Sequence, residues 1–82
     1  MAWNDKPTYA QIGVVYKWLS WRIPIQTAQK AAKWLEDHAT RYQVSLEIKR
    51  LKTLYDTFKL NEETCFASDV WKQFDPEGGE KK

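Results

Sequence analysis

Residues that carry chemistry are scarce in this chain of 82 residues: it has one His, one Cys, one Met, three Gly and three Pro. The single cysteine, Cys65, cannot close an internal disulfide, and no second thiol stands near it to build a metal site. A reducing cytoplasm is the setting that suits it. No Gly-rich phosphate loop, zinc-ligand spacing or nucleophile elbow is present. No apolar run approaches the roughly 20 residues that span a bilayer, and the opening Met-Ala-Trp-Asn-Asp-Lys lacks the charged-then-apolar order of a signal peptide. The chain therefore reads as soluble and cytoplasmic, with no membrane partner. An alternating β-branched strand pattern is also missing.

These absences weaken catalysis in particular. His38 sits beside Trp34 at the edge of an alanine-rich helix face, where a packed or partly exposed structural histidine is the simpler reading. Cys65 lies in an apolar context. Glu36-Asp37 and Glu62-Glu63 are adjacent pairs, and neighbours on a helix point in different directions, so neither forms an acid/base dyad. The expectation is a protein without enzymatic activity, with no catalytic residues, cofactor or metal.

Aromatic residues, by contrast, are abundant: five Trp, four Tyr and three Phe. Large rings bury much area per residue, so a single domain of this length can build a core without staples. The formal charge of +2 is unevenly placed. Residues 1–60 carry 10 Lys/Arg against 5 Asp/Glu, and residues 61–82 carry 3 against 6. Such an asymmetry steers an acidic partner towards the first three quarters of the chain.

Hydrophobic periodicity predicts an all-α single domain over residues 6–75, a small bundle of three main helices plus a shorter C-terminal helical segment. Flexible ends are expected at 1–5 and 76–82, where polar residues and turn formers have nothing to bury. The first helix starts at a Thr8/Gln11 capping box and stops before Pro24. Tyr9, Ile12, Val15, Tyr16 and Leu19 form its core side. The second starts near Pro24 or Thr27, runs to about Ala39 and presents Ala28, Ala31, Ala32, Leu35 and Ala39, small side chains that receive large ones. The third carries Val44, Ile48, Leu51, Leu54, Tyr55 and Phe58 to an end near Lys59 or Leu60. Thr40 to Gln43 is its approach or opening turn, Ser45 a candidate cap, and Lys49, Arg50, Lys52 and Asp56 lie off its apolar side. Asn61 caps an acidic fourth segment with Cys65, Phe66, Val70, Trp71 and Phe74 buried and a break at Ala67-Ser68.

Two surfaces are candidates for function. The first helix has a second apolar stripe, Val14, Trp18 and Trp21, flanked by Lys17 and Arg22. If the helix is central, neighbouring helices cover this stripe; otherwise it is an interface, since Trp and Arg are enriched among residues that dominate binding energy. The interface reading expects a protein partner or a homodimer, and a regulator or inhibitor role by analogy with small proteins of phages and mobile elements. The alternative is nucleic acid. The order Ala31–Leu35, Ala39–Ser45, Ile48–Leu51 resembles a helix-turn-helix, which would turn Arg41, Tyr42, Ser45, Lys49, Lys52 and Thr53 towards DNA.

Overall fold

Thr8 begins helix α1 (Tyr9–Arg22) in the computed structural model, which describes residues 5–75. Its hydroxyl oxygen accepts the Gln11 backbone N–H at 3.1 Å, and the Gln11 amide oxygen accepts the Thr8 N–H at 3.0 Å. This reciprocal box satisfies two donors that every helix start leaves open. The helix ends at Ile23, whose extended backbone (φ −132°) is the conformation Pro24 demands of its predecessor. Helix α2 (Ile25–His38) follows at once.

Helix α3 (Arg41–Asp56) opens on a second box of the same residue types, Thr40 with Gln43. Ser45 is therefore not the cap: it lies inside the helix. At the other end α3 stops at Asp56, short of the expected Lys59 or Leu60. Asn61 caps the short helix α4 (Glu62–Cys65), and a 3₁₀ turn at Asp69–Trp71 follows the break at Ala67-Ser68. The fold is all-helical, with no strand among the described residues. No helix among them is long and apolar enough to cross a membrane. The expected flexible ends lie outside the described residues except for Asp5, whose carbonyl accepts the Arg41 N–H at 2.7 Å.

Helix α1 packs against both α2 and α3. The Gln11 side chain donates to the Arg41 carbonyl at one end, and Arg22 lies over the Tyr55 ring at the other. The starts and the ends of α1 and α3 are thus paired, so these helices run in the same direction. Val15 and Leu19 of α1, Ala28, Ala31 and Leu35 of α2, and Val44 and Leu51 of α3 are fully buried. Each such Leu contributes about 1.5–3 kcal/mol through burial. The alanines let the bulk of α1 approach closely.

The C-terminal segment crosses α2 and α3 and closes the core. Trp34, Phe66, Trp71 and Phe74 form a ring cluster with centroid separations of 4.9 to 5.6 Å. Trp34 donates its indole N–H to the Val70 carbonyl at 3.0 Å. Beneath the cluster lies Glu47, a charged residue only 5% exposed. Its carboxylate accepts from Arg50 Nε at 3.1 Å and Nη2 at 2.6 Å, from Ser68 Oγ at 3.0 Å and from Trp71 Nε1 at 2.7 Å. Arg50 also donates to the carbonyls of Thr64 and Cys65 at the end of α4. Arg50 is therefore a buried-side anchor and not the outward cation that its place off the apolar side of α3 implied.

Two further expectations are corrected. Tyr9 is 89% exposed and not part of the core side of α1. Helical side chains lean towards the N-terminus, so at the first helical position the ring projects beyond the helix start. Phe58 is 82% exposed and lies beyond the end of α3.

Candidate functional site

The ends of α1 and α3 bring exposed aromatic and cationic residues together. Val14 is 37% and Trp21 52% exposed. Trp18, between them on the stripe, is half-buried and packs against the core. The stripe is thus neither covered by neighbouring helices nor wholly free: its middle is anchored and its ends are open. Lys17 holds its ammonium 5.2 Å from the Trp21 ring centroid. Trp21 in turn lies 5.5 Å from Tyr55 of α3, at an interplanar angle of 45°. The Arg22 guanidinium sits 4.5 Å from the Tyr55 centroid and 5.5 Å from that of Phe58.

Phe58 reaches this position through an unusual backbone. Its φ is +59°, in the left-handed region that favours glycine. The Phe58 N–H donates to the Tyr55 carbonyl at 3.1 Å and the Lys59 N–H to the Leu54 carbonyl at 2.8 Å. Together these form a Schellman cap with phenylalanine where glycine usually stands. The cost to a side chain with a β-carbon is about 1 kcal/mol. A large ring is thus held out in solvent in a backbone conformation that disfavours it. Tyr55 and Phe58 were both expected inside the bundle; Tyr55 is half-buried, and both belong to this face. No signal in the sequence distinguished them, because the helical period continues through Phe58 although the helix does not.

The chemistry available here is recognition. Cation–π contacts of this kind contribute about 0.5–1 kcal/mol at exposed sites. Among the described residues, the side chains of Arg22 and Lys17 make no hydrogen bond or ion pair.

The nucleic-acid alternative lies on a different surface. By helical period Arg41, Tyr42, Ser45, Lys49, Lys52 and Thr53 fall within one outward arc of α3. Tyr42, Lys49, Lys52 and Thr53 are exposed, while Arg41 and Ser45 are half-buried. Arg41 Nε is buried without a hydrogen-bond partner among the described residues. Asp56 shares the arc and is exposed, which reduces its positive field.

The residues weighed for catalysis are dispersed. His38 stacks on Trp34 with centroids 4.0 Å apart. Burial pushes the Cys65 thiol from its ordinary value of 9.0 up to about 12, so it remains a protonated thiol and a poor nucleophile. No cluster of three or more His, Cys, Asp or Glu side chains suited to a metal ion occurs among the described residues. A cleft of about 450 Å³ opens at the start of α1, lined by Lys6, Thr8, Tyr9 and Glu36 among others. The Thr8 hydroxyl there is already engaged in the helix cap.

No family model, curated protein or solved structure matches this chain.

Proposed function

We propose that this chain is a non-enzymatic interaction module, of regulator or inhibitor type, that binds a protein partner through the face at the paired ends of α1 and α3. Lys17, Trp21 and Arg22 with Tyr55 and Phe58 form the contact surface, Val14 extends it, and Trp18 anchors it to the core. The observation that carries this reading is the exposure of two large rings, Trp21 and Phe58, around two cations whose side chains touch rings and make no hydrogen bond or ion pair among the described residues. Trp and Arg together are the residue types that dominate binding energy at interfaces. A cytoplasmic setting fits the lone thiol, which is kept protonated by burial. The arc of α3 is a weaker candidate for DNA, because Arg41 is half-buried and Asp56 interrupts the positive charge.

The test is a comparative capture from cells of the source organism with wild type and with a Trp21→Ala/Arg22→Glu variant. The expected result is a protein retained by wild type and lost by the variant, while the two melt within a few degrees of each other. Equal retention by both would remove the face from the proposal. Retention of nucleic acid, abolished by Lys49→Glu with Lys52→Glu, would support the arc of α3 in its place.

A further inference from the structure

Building on that reading of the face, we infer that its occupant is an acidic linear segment in which Asp or Glu residues flank a large apolar side chain. Three observations lead there. The Arg22 guanidinium is held against the rings of Tyr55 and Phe58, at 4.5 and 5.5 Å from their centroids. Its N–H groups make no hydrogen bond or ion pair among the described residues, and the planar fork of a guanidinium matches a carboxylate bidentately. The surrounding charge is positive: Lys17 lies over Trp21, exposed Lys52 is one turn before Tyr55, and exposed Lys59 follows Phe58. Asp56 is the only acidic residue in that stretch of α3 and its cap. Finally, Phe58 keeps φ at +59° with its ring 82% exposed, so the backbone presents an aromatic surface for an apolar side chain to cover.

A polynucleotide could in principle stack bases on Trp21 and Phe58 and place phosphates on the cations. The peptide is favoured because the formal net charge is only +2, little to displace counterions from a nucleic acid.

The experiment uses the full chain and fluorescein-labelled short peptides that alternate Asp or Glu with Leu or Phe. Controls are the same peptides with Lys replacing the acids, and a labelled oligothymidine of matched length. Fluorescence anisotropy is read at low and high salt for wild type, Arg22→Glu and Phe58→Gly, with sedimentation velocity on the protein alone. The expected result is binding of the acidic peptides that weakens as salt rises. It is reduced about tenfold or more in both variants, although Phe58→Gly melts no lower than wild type. Three results overturn the inference: oligothymidine binding at this face, acidic peptides that bind no better than their Lys counterparts, or concentration-dependent self-association abolished by Phe58→Gly. A captured partner that requires Trp21 and Arg22 but binds independently of salt leaves the proposed function standing and removes only its acidic occupant. The absence of any capture dependent on Arg22 removes both.

Discussion

Two arginines of this small protein have opposite surroundings. Arg50 donates to Glu47 and to two backbone carbonyls, while Trp71 and Phe74 close over the cluster. Arg22 meets only the rings of Tyr55 and Phe58, beside a half-exposed Trp21. The first group has its polar atoms paired and its rings buried, and so holds the C-terminal segment to α3. The second leaves its donors open and its rings in solvent. Aromatic and arginine content alone therefore does not separate core from exposed face. Whether the hydrogen-bonding groups are satisfied does.

The largest expected effect tests the buried side of this comparison. Glu47→Ala removes the acceptor of four hydrogen bonds and leaves Arg50 and the Trp71 indole N–H without it. It should cost about 3–5 kcal/mol, much of the stability of a domain this size. Urea denaturation measures it. A loss below about 1 kcal/mol would mean that Glu47 does not anchor the segment and that the two arginines differ less than their geometry implies.

Trp18 stands between the two environments. Its ring packs against the core but is only half-buried, so Trp18→Ala should cost about 2 kcal/mol, less than the 3–5 of a fully enclosed aromatic. The same change at Trp21 should cost less than about 1 kcal/mol. Equal losses at the two positions, read from thermal melts, would contradict the division of the stripe into an anchored middle and an open end.

A pH titration sharpens the description of the interior. The Cys65 thiol is raised from 9.0 to about 12 by burial, so in this window the unfolded chain ionises while the folded chain does not. The unfolded state then binds fewer protons, and stability falls as pH rises above about 9. Cys65→Ala should lose this contribution to the alkaline slope. An unchanged slope would mean that the thiol is reached by solvent.

Much of this fold was legible in sequence because its helix boundaries are written in local chemistry. Thr8 with Gln11, Pro24 and Asn61 each act on backbone groups within a turn of themselves, and the alanine face of α2 follows from spacing alone. Thr40 with Gln43 is the same box as at α1, and Ser45, another residue type that caps helices, follows five positions later. The Glu47 anchor was also written in the chain: Val44, Glu47 and Leu51 follow the helical period, and a charge at a core position asks for partners. Those partners, Ser68 and Trp71, come from a segment some 20 residues away, which no local pattern reveals. The candidate face was half legible. Val14, Lys17, Trp18, Trp21 and Arg22 lie on one helix, whereas Tyr55 and Phe58 join them only through the parallel pairing of α1 and α3 and a left-handed cap without glycine.

That cap supports the central claim, that an aromatic ring is presented to solvent at the expense of stability. Urea denaturation of Phe58→Gly tests this most directly. Glycine removes the left-handed penalty of about 1 kcal/mol and gives up a weaker contact with Arg22. The account predicts a net gain of up to about 0.5 kcal/mol with an unchanged denaturant slope. A loss of stability would show that Phe58 holds the fold together, and would contradict its assignment as a presented binding residue.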